Sequence, residues 1–195
     1  MPLNTVNSAI ASHADEKMLE ALSRHKCVRC GACCRWRGQV YLYPDDIECM
    51  SRAMEMDRTE FLMGYCVIVY WPWAGSVQFR VALARKASGE CVFLEKALCT
   101  VHAFKPLMCK AGPAAWPWIK SSKAFWFYVM QSPSFSHPPG TMPLAEANGW
   151  FMATREGEVT VGAANSVDSL AQIFGFPSAV FHALPLIEFK EEEEL

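Results

Sequence analysis

The sequence predicts an α+β fold in which short helices and a small antiparallel sheet surround a loop-borne cysteine site. Three observations lead there. Several short stretches carry apolar residues at helical spacing, two β-rich runs between Cys66 and Leu83 are split by a turn, and most of the nine cysteines fall in loop-like sequence.

The elements follow in order. Ala14 to His25 is expected to be a helix, started by Ser12 with Asp15 three residues on, and burying Met18, Leu19 and Leu22. Residues Cys27 to Cys34 then read as a tight, glycine-containing loop. Gln39 to Tyr43 predicts a short strand. Pro44 starts a helix with Asp45 and Asp46 in its first turn and Ile47, Met50 and Met54 on its apolar face. Asp57-Arg58-Thr59-Glu60 opens another helix through Tyr65. Cys66 to Trp71 predicts a buried strand, Trp73-Ala74-Gly75-Ser76 a turn, and Val77, Phe79, Val81 and Leu83 the inner face of a half-buried partner strand. Cys91 and Cys99 flank a short turn, and Val101 to Phe104 is one helical turn stopped before Pro106. Ser132 to Pro143 reads as a loop or linker, followed by a strand at Val159-Thr160-Val161 and a helix from Ser169 to Phe174. This divides the chain into a cysteine-cluster region, 1–113, and an aromatic-rich extension, 114–195, packed on the same core.

Composition narrows the function classes. Of the 195 residues, 52% are hydrophobic and 19% charged, which excludes a disordered chain. The formal net charge of -2 is too small to argue for nucleic acid or an anionic membrane, so no nucleic-acid partner is expected, and part of that charge sits in the tail Glu191 to Glu194, read as a solvated end. No signal-like segment stands at the start. The apolar stretches Phe61 to Ala74 and Ala124 to Met130 fall short of the roughly 20 residues that cross a bilayer, so membrane insertion is not expected. The sequence therefore predicts a cytoplasmic protein. In a reducing compartment, clustered cysteines serve as metal ligands rather than as disulfides, and an odd count leaves a thiol over in any all-disulfide scheme.

Spacing singles out the candidate ligands. Cys27-x2-Cys30 lets two thiolates grip one metal from a single turn, and Cys30-x2-Cys33 extends the series to three, as in loops that wrap an iron–sulfur cluster. Gly31 lets the backbone turn tightly there. Cys34 diverges from its neighbour and suits a second metal. Cys91, Cys99 and Cys109 are spread out and need the fold to join them, with His102 as an additional nitrogen candidate. The seven together supply one four-thiolate site plus a partial second, or a single site with three cysteines held structurally.

This series, Cys27-x2-Cys30-Gly31-x-Cys33-Cys34, then Cys91-x-Phe93-Leu94, Cys99, and Lys105-Pro106-x-x-Cys109, resembles the CxxCxxCC family. Its members are also called YkgJ-type cysteine-cluster proteins and are described as zinc- or iron-chelating domains. The resemblance covers roughly residues 25 to 113 and includes Leu42-x3-Asp46-Ile47 and Phe61-Leu62 before Tyr65. It implies a metal-binding domain whose biochemical task is mostly unassigned. Flagellin lysine methylases carry a similar series, which leaves a methylase-like enzyme open. The chain departs from the family pattern at His102-Ala103-Phe104-Lys105-Pro106, where Tyr-x-x-Arg-Pro is usual. Lys110 replaces an arginine, and Gly112-Pro113 replaces an aromatic-Pro. Lysine cannot copy the planar guanidinium fork, so no arginine role carries over.

Other residues have plainer readings. Cys49 and Cys66 are small hydrophobes, and His102 is more often a structural histidine than a ligand. His13, His25, His137 and His182 are isolated. Arg29, Arg35, Lys105 and Lys110 ring the cysteines, either offsetting thiolate charge or serving as ordinary surface. Trp116, Trp118, Phe125, Trp126, Phe127 and Tyr128 read as core, or else as an apolar lid over a cluster.

The leading expectation is a metal-binding protein that carries an iron–sulfur cluster, 4Fe–4S among the types, or iron, in a redox or accessory role. The alternatives are a zinc-stabilised binding module without catalysis and a metal- or cluster-dependent modifying enzyme. The expected partner is another protein or a small-molecule substrate.

Overall fold

Helical signals early in the chain are realised as short, capped segments. The structure is a computed structural model that describes residues 9–35, 38–73, 75–115 and 122–189. Trp36, Ala74, Trp116, Trp118 and the tail Glu191 to Glu194 lie outside the described residues, as do the side chains of Trp73 and Phe127.

A 3-10 turn, Ala9–Ser12, precedes helix α1, Glu16–Ser23. The cap is Asp15 rather than Ser12: its carboxylate accepts from Met18 N at 2.8 Å, while the Ser12 hydroxyl is spent on the carbonyl of Ala9. Met18 and Leu22 are buried and Leu19 is half-buried. The cysteine loop is not wholly irregular, because Ala32–Arg35 forms one helical turn, α2. The expected strand at Gln39 to Tyr43 is reduced to an extended stretch that touches the sheet by a single bridge, Tyr41 to Ala82. Helices α3, Pro44–Ala53, and α4, Arg58–Tyr65, follow as expected, with Pro44 at the first helical position and Asp57 capping α4 through Thr59 N.

The sheet is mixed, and in this it departs from the antiparallel arrangement expected. Strand β1, Cys66–Trp73, pairs antiparallel with β2, Ser76–Leu83, around Gly75, whose φ is +80°. Two further short strands, β3 (Leu94–Glu95) and β4 (Leu98–Cys99), form a separate hairpin whose two turn residues, Lys96 and Ala97, both have positive φ. Near the chain end β5, Leu186–Glu188, adds to the other edge of β1 in parallel, giving the order β2-β1-β5. The outer half of β2 is more exposed than alternation predicts. Val77 is 38% exposed, whereas Arg80, Val81, Ala82 and Leu83 are all buried because helices cover one face and the 39–43 stretch and Phe189 reach the other.

The second half of the chain is helical. Helix α5 (Leu107–Ala111) carries Cys109, α6 spans Ser122–Gln131, and α7 spans Leu144–Val161. The strand expected at Val159 to Val161 is the last turn of α7. A β-branched triplet has only a weak local preference, and the helix that precedes it, with Val161 buried in the core, overrides it. Helices α8, Val167–Phe174, and α9, Ser178–His182, close the order, α8 being capped by Ser166 and ended by Gly175 in the left-handed region.

Two clusters form the main core. The larger joins Leu42, Ile47, Phe61 and Ile68 with Val161, Leu170, Phe174 and Phe181. The smaller joins Ile10, Met18 and Leu22 with Phe125, Ala147 and Phe151. Helix α7 contributes to both. Its anchor is polar: the Arg80 guanidinium, almost buried, lies 3.3 Å from the Glu158 carboxylate and donates to the carbonyls of Phe79 and Val161. The Tyr43 hydroxyl donates to Glu158 at 3.1 Å, and its ring packs where a Cβ on Gly157 would stand, 2.6 Å away. No helix among the described residues is long and apolar enough to cross a membrane.

Removing one member of a buried ion pair strands the other. Glu158→Ala should therefore destabilise the fold by about 3 kcal/mol, and Glu158→Gln by less because an amide oxygen still accepts. Urea melts followed by circular dichroism would measure both.

Candidate metal centre

All seven cysteines of the series, Cys27, Cys30, Cys33, Cys34, Cys91, Cys99 and Cys109, line one cavity. The loop 27–34 supplies four, the β3–β4 hairpin and its approach supply Cys91 and Cys99, and α5 supplies Cys109. Depth is graded. Cys34 and Cys91 are buried, Cys30, Cys99 and Cys109 are half-buried, and Cys27 and Cys33 are exposed. Cys49 and Cys66 stand apart from this cavity. Cys66 is buried in the core, where desolvation pushes its thiol well up, and Cys49 is exposed rather than apolar-packed.

Backbone contacts bring these distant stretches together. The Cys91 amide donates to the Cys34 carbonyl at 2.7 Å. Gly31 has φ +70°, and its carbonyl accepts from the amides of Cys34 and Arg35, which starts the α2 turn. A Cβ at Gly31 would lie 2.8 Å from the carbonyl oxygen of Ala97 in the β3–β4 turn, so only glycine lets the loop and the hairpin approach this closely. Arg35 donates to the Cys30 carbonyl at 2.8 Å. Asp46, buried at the start of α3, accepts from Leu107 N at 2.7 Å and from Tyr43 N at 3.0 Å, and so fixes the helix start two residues before Cys109. Burial raises the Asp46 carboxyl, and these two amides partly offset it.

The thiols are electrostatically linked. The neighbouring thiols Cys33, Cys91 and Cys99, with burial behind them, push the Cys34 thiol far up. The Cys34 thiol, above all, brings Cys91 down to about 7 and Cys99 to about 6, and lowers Cys33, against a desolvation that raises all three. Lys105 lowers Cys33 and Cys99, Arg29 lowers Cys99 and Arg85 lowers Cys91, as cations beside thiols do. Burial raises Cys109 instead. Arg29 and Lys105 line the cavity, no Asp or Glu does among the described residues, and Lys110 is exposed outside it. Soft thiolate donors with compensating cations suit zinc or iron. Among the described residues, no three Cys, His, Asp or Glu side chains already stand close enough to hold a metal ion.

His102 lines the cavity with Nε2 3.4 Å from Cys27 Sγ. Sequence reasoning passed over Met108 and Ser132 as site residues, and it read His25 as isolated. His25 and Tyr128 are buried and line the cavity, as does Met108, whose thioether accepts from Tyr41 N. Burial, seconded by Lys105 and His137, brings His25 down to about 4 and leaves it neutral at pH 7. Ser132 Oγ is 3.7 Å from Cys30 Sγ, and Lys26 N donates to the Ser134 carbonyl, so the start of the stretch read as a linker is part of the site's wall. Of the aromatic run, Phe125 is core, as expected, and Tyr128 reaches the cavity. The position of His25 just ahead of the cysteine run was the signal available for it.

A family model matches residues 26–132, more than half of the chain, and its description is "CxxCxxCC: Putative zinc- or iron-chelating domain". The chain belongs to this family. The match runs beyond Cys109 to Ser132, the residue beside Cys30. No curated protein and no solved structure matches the chain significantly.

Two substitutions test how the site is held. Gly31→Ala places a side chain against a carbonyl and in a left-handed backbone, and should cost about 1–3 kcal/mol and lower the metal bound per chain, measured by thermal melts and elemental analysis. Asp46→Ala removes two buried acceptors, costing about 1–3 kcal/mol for each amide left unpaired. It should also speed thiol labelling of Cys109, read by mass spectrometry.

Proposed function

We propose that this protein carries an iron–sulfur cluster or iron in its multi-cysteine cavity and serves a redox or accessory role. The observation that supports this reading is the convergence of seven thiols, from three separated stretches, on one cavity. A single structural zinc takes four ligands and leaves none open. Seven sulfur donors exceed that need and suit a polynuclear centre or two metals. Cysteine thiolates are the usual ligands of iron–sulfur clusters. When bound, the group would supply electron transfer or Lewis acidity. The residues that would hold it are Cys27, Cys30, Cys33, Cys34, Cys91, Cys99 and Cys109. Arg29 and Lys105 would offset the negative charge of the thiolates, and Tyr128 and Met108 would limit water at the floor.

A zinc-stabilised module is the second reading, and it is favoured by the family description, which names zinc beside iron as the chelated metal. An enzyme acting on a small molecule, or a protein partner, is consistent with the exposure of Cys27 and Cys33.

Anaerobic purification separates the readings. The proposal expects a brown protein with broad visible absorption, iron and acid-labile sulfide, and an electron paramagnetic resonance signal on reduction. A colourless anaerobic sample with zinc alone, unfolding on chelation, would establish the zinc module and remove the iron proposal.

A further inference from the structure

The geometry points to a nitrogen donor in the thiol cavity: we propose that His25 supplies an imidazole ligand to the metal bound there. This rests on the metal-binding reading above. His25 is 7% exposed, and its Nδ1 is fully buried with no hydrogen-bond partner among the described residues. A buried bare ring nitrogen costs free energy unless something satisfies it, and native folds seldom leave one so. His137 also has an unpartnered buried ring nitrogen, yet it does not line the cavity, whereas His25 does.

The surroundings hold the ring without offering it a partner. Its main-chain amide is tied to the Leu22 carbonyl at the end of α1. One face of the ring packs on Phe135, with centroids 5.1 Å apart. Gly112, another residue of the cavity wall, has φ +55°, and a Cβ there would lie 3.4 Å from His25 Cε1 and 3.7 Å from Nε2. The ring is therefore held between Phe135 and Gly112, and its Nδ1 is left without a protein partner among the described residues. Cys27 follows two residues later, so the imidazole and the first thiol of the series enter the cavity from the same turn of chain. Zinc, iron and cadmium accept such mixed sulfur and nitrogen shells.

Cadmium-113 is the probe, bound to full-length protein labelled with nitrogen-15 at histidine and observed by nuclear magnetic resonance. The inference expects a cadmium signal split by coupling to a histidine nitrogen. The splitting should persist in His102→Gln and in His137→Gln. It should vanish in His25→Gln or in His25→Phe, which keeps the ring packing on Phe135, with cadmium affinity reduced about tenfold or more. The labelled wild-type protein and His102→Gln decide the matter even if both His25 variants fail to fold. A cadmium signal without nitrogen splitting, or a splitting lost in His102→Gln, overturns the inference and leaves the metal reading intact. No stoichiometric cadmium binding at all removes both.

Discussion

The whole site depends on one close approach, that of the cysteine loop to the chain around Cys91 and the β3–β4 hairpin. A hydrogen bond of 2.7 Å from the Cys91 amide to the Cys34 carbonyl joins the two stretches, and the absence of a Cβ at Gly31 lets the loop settle against the turn at Ala97. Without that approach the thiols of 27–34 and those of 91–109 would have no common cavity. With it, Cys34 comes near Cys91 and Cys99, and these thiols together with its neighbour Cys33 push its own thiol far up.

Around this contact the fold acts as a frame. Helix α3 sets the start of α5 through the buried Asp46, which places Cys109. Helix α1 delivers His25 and Cys27, and the 132–135 turn, packed under Phe125 and Tyr128, closes the wall beside Cys30. The helix α7 that spans both core clusters is anchored by Arg80, Glu158 and Tyr43. Such a network gives little net stability for its desolvation, but each member is costly to remove alone, so it fixes where α7 lies against the sheet.

The electrostatics follow from the same geometry. Thiolates in one partly buried cavity repel one another: after burial, the charges of Cys33, Cys91 and Cys99 hold the Cys109 thiol up. Lys105, Arg29 and Arg85 work against this, and the lack of lining carboxylates among the described residues keeps the cavity from becoming more negative still. A metal cation would complete the compensation that these three begin.

Local sequence determined much of this protein. Pro44 with its acidic first turn, the Asp57 cap and the runs on either side of Gly75 each specify local structure within a few residues, and all are realised. So the α+β class and the chain of candidate thiols were readable. Tertiary structure decided what depends on distant partners. It converted Val159 to Val161 from strand to helix, moved the first helix cap to Asp15, reduced residues 39–43 to a single bridge and added β5 in parallel to β1. It also turned His25 from an isolated residue into a buried wall of the cavity. The physical reason is common to all of these: propensity and spacing act over a few residues, whereas burial and the pairing of polar atoms are settled only when segments far apart in the chain meet.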